Sequence, residues 1–369
     1  MRSVVICDMR DYVKVHWKLI LMSTVATFSC FGFLFRDGAL SLRANVFPNG
    51  ILFLLFFLLG ANILTFGIYH FSEKKEKYPY WVFLLLYVTS NIWSYQVCFS
   101  LQQIEAVLAL CLLGVVSILI MRACFFKRGK WRGIWLLVAT LLMIPALCVN
   151  RALTVYYVAI SIGCFFILLE RDDIQEKRML WGGLIWLLQL GVSYLASCGL
   201  TLVWHVETVD YMSGQLAWGR QPAAECWQNV LDAVAQIFIS NCGENFSFYA
   251  VGGILSVTEA ILLARSKRKE NSIWKGLRYG LLWVAIVLML LLPLFPSICT
   301  GEMLLNKSQF ALPVTAAFLG MYGIGMMREL WSAEVDEIRK RSKERMLDVF
   351  RLCALIAIVM QVVYNLRGH

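Results

Sequence analysis

Histidine and proline are scarce in this chain, with 4 and 7 among 369 residues. The histidines (His16, His70, His205, His369) are scattered, so there is no HExxH or other histidine-rich metal constellation. CxxC, GxSxG, a Walker loop and a strand-to-helix GxGxxG are also absent, leaving no motif for thiol redox, serine hydrolysis or nucleotide binding. Charged residues make up only 16% of the chain. Period-two alternation is missing, which argues against a barrel. The N-terminus lacks a cleavable-signal pattern: Met1 to Lys18 is polar and basic, and the apolar run after it reads as a retained span.

What is abundant is apolar surface. With 60% hydrophobic residues and a mean hydropathy of +0.68, the chain cannot bury its side chains in one soluble core. Runs such as Ile51 to Tyr69 and Leu281 to Phe295 are long enough to cross about 30 Å of hydrocarbon as helices. The expected fold is an all-α integral membrane protein, a polytopic bundle of about eleven spans near 19–35, 51–71, 81–100, 104–122, 134–149, 152–169, 180–203, 247–264, 279–298, 309–327 and 349–365. No strict repeat divides it, so residues 1–369 read as one membrane domain. It has a cytoplasmic N-terminus (1–18), one main outer loop (204–246) and a polar cytoplasmic helix (328–348) with i,i+4 pairs Asp336/Lys340 and Glu337/Arg341.

The net charge of +10 would suggest nucleic acid in a soluble protein. Here it follows the positive-inside rule: with the N-terminus in the cytoplasm, only Arg36, Arg43, Arg151, Arg220, Lys307 and Arg367 of the 34 lysines and arginines fall outside. A nucleic-acid partner is not needed. Most of the twelve cysteines lie in apolar runs and read as small buried hydrophobes. Cys226 and Cys242 are the two on the long outer loop, where a disulfide is an open alternative.

Candidate chemistry gathers on the outer side. Arg36, Asp37 and Arg43 in the first outer loop read either as an ordinary solvated loop or as a carboxylate beside cations. Asp37 is the first candidate for a catalytic base, with Glu207 and Asp210 of the main outer loop as alternatives. Tyr211, Gln215, Trp218 and Trp227 offer aromatic platforms and hydrogen-bonding groups for a sugar, and Arg220 stands beside them. Asn150-Arg151 joins two apolar runs so tightly that Arg151 must lie at the outer boundary, with Tyr156 and Tyr157 one turn below; it either snorkels or grips a lipid phosphate. Lys307 carries the same two readings. Glu105 at a helix start needs no role beyond the helix dipole, and Glu259 reads as an ion pair or an intramembrane functional group.

Ser94-Tyr95-Gln96 with the helix from Ile104, then Cys148 to Tyr157, the charged Glu170 to Arg178 loop, the span to Trp204 and Asp210-Tyr211 together form a recognisable order of features. In this order, over roughly 80–330, the chain resembles the Gtr-type (GtrII-like) glucosyltransferases of bacterial membranes. The resemblance implies a GT-C-like bundle in the plasma membrane and transfer of a sugar from a polyprenyl-phosphate donor to a surface polysaccharide or lipid-linked acceptor. It also brings Tyr95 among the binding residues. The family's first outer loop usually carries an acidic pair where this chain has Asp37 alone, and its Tyr-Gln after span five stands here as Asn150-Arg151. A diverged inactive member, a surface-polysaccharide polymerase and a flippase or transporter of lipid-linked saccharide therefore stay as alternatives. Expected partners are membrane lipid, the polyprenyl-linked sugar and a glycan acceptor. No cofactor is indicated, and a divalent cation stays open.

Overall fold

The computed structural model describes residues 2–31, 46–93, 104–126, 130–171, 174–203, 217–235, 253, 273–302, 309–332 and 337–367. Among these, helices form and no strand does. They are α1 (Arg2–Cys30), α2 (Val46–Phe71), α3 (Tyr80–Thr89), α4 (Ile104–Phe125), α5 (Lys130–Val149) and α6 (Leu153–Leu169). After these come α7 (Glu176–Val203), α8 (Ala223–Ala235), α9 (Ile273–Leu291), α10 (Phe295–Thr300), α11 (Ala311–Ser332) and α12 (Glu337–Arg367).

Six stretches among the described residues are long and apolar enough to cross a membrane: Ile51–Phe71, Glu105–Phe125, Trp131–Val149, Lys177–Val203, Gly280–Thr300 and Glu344–Leu366. The expected span at 247–264, with Glu259, lies outside the described residues apart from residue 253. Two shorter apolar helices, Tyr80–Trp93 and Leu153–Leu169, are apolar on every face. A helix without a polar face belongs inside a bundle, and α3 and α6 are buried along nearly their whole lengths.

Burial sorts the other spans. Within their apolar windows 67% of the α4 residues and 56% of the α2 residues are buried, against 22% for α5 and 17% for α7. The last two are the least covered, and Leu188, Leu195 and Leu202 of α7 stay exposed. Small residues bring α2 and α4 together: a Cβ at Gly67 would meet Ile118 at 3.0 Å, and one at Gly114 would meet Leu64 at 3.2 Å. Close backbone approach through small residues is the ordinary way helices associate in lipid, where no hydrophobic effect drives them together.

Two expectations change in detail. The N-terminal polar segment is helical from Arg2 and continuous with the first apolar run, with non-helical backbone at His16 (φ −109°, ψ 15°). His16 lies among the rings of Tyr12, Tyr69 and Tyr80, with centroids 5.1–5.5 Å away. The polar stretch expected as a separate inner helix is divided between the end of α11 and the start of α12, with 333–336 outside the described residues.

Side-chain contacts sort the helix ends into two groups. Asp8, His70, Lys75, Lys77, Glu170 and Glu329 meet at one end. Arg151 with Thr201, and Trp218 with the end of α10, lie at the other, since each intervening helix runs across the bundle. The first is the basic end.

Candidate functional site

At the Arg151 end, α5 and α6 are joined by a link of three residues. Asn150 is buried, and its Oδ1 accepts the Ala152 N–H at 2.9 Å. Its carbonyl accepts the Leu153 N–H at 3.1 Å, while that of Arg151 accepts the Thr154 N–H at 3.0 Å. An asparagine closing this turn over the first N–H groups of α6 is the usual answer to a helix start with no intrahelical acceptors. Arg151 is thereby held at the head of α6, and its Nη2 donates to Thr201 Oγ1 of α7 at 2.6 Å. Below it Tyr156 and Tyr157 are fully buried: Tyr156 pairs with Tyr87 of α3 (2.9 Å between hydroxyls), and Tyr157 donates to Gln189 of α7 at 3.2 Å.

A second group at this end comes from the stretch after residue 216. The Ala217 N–H donates to the Thr300 carbonyl at 2.7 Å, Trp218 Nε1 to the Ile298 carbonyl at 2.9 Å, and Asn229 Nδ2 to the Gly301 carbonyl at 3.1 Å. These bonds satisfy carbonyls at the end of α10, which have no intrahelical partner. Gly301 has φ +72°, and a Cβ there would lie 3.1 Å from Cys226 Sγ and from the Trp218 ring, so both conformation and space require glycine. α8 lies on this platform with Cys226, Val230 and Ala233 inward and Trp227 and Leu231 exposed. Trp218 and Trp227 meet edge to face, with centroids 5.6 Å apart. The Cys226 thiol is free and buried. α8 was not expected: its signal was the 3.6-residue spacing of those three inward residues after Pro222, inside a stretch otherwise read as loop.

The third feature is a break in α3. The helix runs for ten residues and stops at Thr89; Ser90 is extended (φ −54°, ψ 128°), and helical backbone resumes at 91–93. Gln361 and Asn365 of α12, both buried, meet the break: Thr89 Oγ1 donates to Gln361 Oε1 at 2.7 Å, and Asn365 Nδ2 donates to the Thr89 carbonyl at 2.9 Å. Trp93 is fully buried, with ring contacts to Phe57, Tyr87, Tyr156 and Phe310 at centroid distances of 5.2–6.5 Å.

The opposite end carries a charge cluster. Lys77, with a side chain only 7% exposed, pairs with Glu170 at 2.8 Å and Glu329 at 2.7 Å. Glu170 also accepts the hydroxyls of Tyr322 (2.7 Å) and Tyr78, and Glu329 also accepts Lys74. Burial works against ionisation of Glu329, yet the bonds from Lys74 and Lys77 outweigh it and hold its carboxyl below the usual value. Beside this, Asp8 of α1 accepts His70 Nδ1 and Lys75 Nζ, both at 2.8 Å. Burial opposes the charge of Asp8 as well, and the bonds from Lys75 and His70 again lower its pKa. Each acid is matched to a base, so the cluster reads as a lock among helix ends.

Of the sequence-predicted site residues, the structure describes Arg151, Trp218 and Arg220. Arg220 is exposed beside Trp218, and Arg151 rests on α7 while Trp218 rests on α10. Asp37, Glu207, Asp210, Arg36, Arg43, Tyr95, Tyr211 and Lys307 lie outside the described residues. Glu105 stands in the first turn of α4, as the dipole reading requires. Among the described residues no group of three or more His, Cys, Asp or Glu is placed to hold a metal ion.

No curated protein and no solved structure matches the chain. One family model does, described as Glucosyl transferase GtrII, over residues 28–324. That stretch takes in every helix from α2 to α10, the Asn150-Arg151 link, the Trp218 platform and the α3 break, and the chain belongs to the GtrII glucosyl transferase family.

Proposed function

We propose that this protein moves glucose from a polyprenyl-phosphate donor to a surface-polysaccharide or lipid-linked acceptor, at the Arg151 end of a GT-C-like bundle of about eleven spans, on the outer face of the plasma membrane. The observation that carries this reading is Arg151 itself. It is the cation of a link too short to leave the membrane boundary, fixed by Thr201, at the end where basic residues are scarce. A prenyl chain lies along the lipid-facing wall of α5 and α7 while its phosphate meets the guanidinium, whose planar fork suits phosphate oxygens. An acceptor hydroxyl attacks the anomeric carbon, the bond from that carbon to the phosphate oxygen breaks, polyprenyl phosphate leaves, and a carboxylate among Asp37, Glu207 and Asp210 takes the hydroxyl proton. Such base assistance is worth about 10²- to 10⁴-fold. Trp218, Arg220 and Trp227 stand as acceptor contacts, with Tyr95, Tyr211, Arg36, Arg43 and Lys307 in the neighbouring loops. One observation supports flipping of lipid-linked saccharide as a second reading: broken spans such as α3 are common in transporters.

The test is sugar transfer in membrane vesicles supplied with labelled polyprenyl-phosphoglucose, with Arg151→Lys and Arg151→Gln at equal protein level. Wild type forms labelled glycan, Arg151→Lys needs more donor, and Arg151→Gln more still. Equal donor dependence of wild type and Arg151→Gln returns the residue to a membrane anchor. Label that crosses the vesicle without entering glycan favours the second reading.

A further inference from the structure

The break in α3 has no local cause. Tyr80–Thr89 holds no glycine or proline, and neither does 90–93. Ten helical residues rise about 15 Å, roughly half of the hydrocarbon thickness, so the chain leaves helical geometry inside the membrane. Irregular backbone at that depth persists where protein covers it or where it lines a polar cavity. At this break the end of the helix is covered: Gln361 and Asn365 satisfy Thr89. Two side-chain groups just beyond it have no such partner. The Trp93 indole N–H and the Ser90 hydroxyl are buried, with the residues 0% and 1% exposed, and neither meets a hydrogen-bond partner among the described residues. The Thr154 hydroxyl in the first turn of α6, next to the Arg151 link, is in the same condition. Buried donors without acceptors are rare in folded proteins and need a reason. Indole is a donor only, so what completes Trp93 must be an acceptor.

We propose that the Ser90–Trp93 break is the headgroup subsite of the lipid-linked sugar, where Trp93 Nε1 donates to a phosphate or pyranose oxygen of the substrate and Ser90 contributes a second bond. This rests on the donor reading above and deepens it. The surround is aromatic: Trp93 packs against Tyr87, Tyr156 and Phe310, side chains of the kind that contact sugar rings, and the Tyr87–Tyr156 hydroxyl pair lies within the same cluster. Trp93 touches α2, α3 and α6, and Phe310 just before α11, through ring contacts, so it is set on rigid elements.

The experiment compares wild type with Trp93→Phe, which keeps an aromatic ring and removes the N–H donor with the rest of the pyrrole ring, in purified protein reconstituted in nanodiscs. Ligand-induced thermal stabilisation is titrated with polyprenyl-phosphoglucose, polyprenyl phosphate and an alkyl glucoside. The expected result is a lowered ligand-free melting temperature, because the smaller ring leaves a gap in a packed cluster, together with about tenfold weaker binding, as expected for one hydrogen bond. Weakening shared by polyprenyl phosphate assigns the bond to phosphate; weakening shared by the alkyl glucoside assigns it to the sugar. A lower ligand-free melting temperature with unaltered binding shows that Trp93 serves packing alone and overturns the proposal. Binding of all three within twofold of wild type also overturns it, as does absence of binding by wild type. Failure of the polyprenyl-donor reading alone looks different: the alkyl glucoside still binds in a Trp93-dependent way and the polyprenyl-linked sugar does not.

Discussion

Replacing Glu170 tests whether the basic end is held by its charge cluster. The carboxylate, 20% exposed, accepts Lys77 at 2.8 Å, Tyr322 at 2.7 Å and the Tyr78 hydroxyl. Glu170→Gln keeps an acceptor oxygen for the tyrosines and removes the charge that Lys77 faces. Lys77 still has Glu329 at 2.7 Å, so the loss is one charge-assisted bond, about 1.5–3 kcal/mol. Glu170→Leu removes all three bonds and strands two hydroxyls in a mostly buried site, which brings the cost to about 3–5 kcal/mol, the range for breaking a buried pair. At about 2 °C per kcal/mol for a large domain, the melting temperature falls about 3–6 °C for Glu170→Gln and about 6–10 °C for Glu170→Leu. Thermal unfolding of detergent-purified protein, followed by intrinsic fluorescence, measures both. The Km for the donor proposed above stays at the wild-type value in surviving protein, because the cluster lies across the bundle from Arg151. Two equal shifts, or a Leu variant within 1 °C of wild type, would show that solvent replaces the partners and that the lock is not structural.

The remaining predictions concern the same end and the orientation. Asp8, held below its ordinary 3.8, contributes stability above that pH and loses it as pH falls through the folded value; Lys75, held above 10.5 because its bond to Asp8 outweighs burial, contributes below 10.5 and loses it as pH rises further. The protection of amides in the first turns of α1, taken relative to the intrinsic exchange rate at each pH, therefore stays high between these limits and falls outside them, and Asp8→Asn removes both limits; a protection profile that Asp8→Asn leaves unchanged refutes the tether. For orientation, Gln228 is exposed on α8 and Cys7 is exposed at the basic end. An impermeant maleimide applied to intact cells labels Gln228→Cys and reaches Cys7 only after permeabilisation, and the reverse pattern inverts the orientation.

Apolar runs made the helices legible because a membrane span must be apolar throughout its crossing. The expected runs at 134–149, 152–169 and 180–203 meet α5, α6 and α7 within a few residues at each end. The tight Asn150-Arg151 link was legible for the same reason, as two runs almost touch there. α8 was hidden because its cue is periodic rather than hydrophobic, and it forms on carbonyls at the end of α10 about 70 residues away. The break at Ser90 carries no local signal at all, since its partners Gln361 and Asn365 are more than 270 residues distant. Glu170 read as a loop charge for a similar reason: Lys77 and Tyr322 lie 93 and 152 residues from it in sequence.

Those distant partners give the flanks of the chain a physical role. The family match ends at residue 324 and begins at 28, so most of α1 and all of α12 lie beyond it. Both flanks nevertheless meet the bundle next to the ten-residue helix α3. Asp8 of α1 ties down Lys75, five residues before α3 begins, and α12 supplies the two amides that satisfy Thr89 where α3 breaks. Without α12 the Thr89 carbonyl would lose its Asn365 partner inside hydrocarbon, where an unsatisfied backbone group costs several kcal/mol. A break that expensive is kept open by contacts from outside the family stretch, and it sets the depth at which Trp93 stands beneath the Arg151 link. The flanking helices thus act on the candidate site through α3, and substitutions at Gln361 or Asn365 belong with those at Trp93 even though neither residue reaches the outer surface.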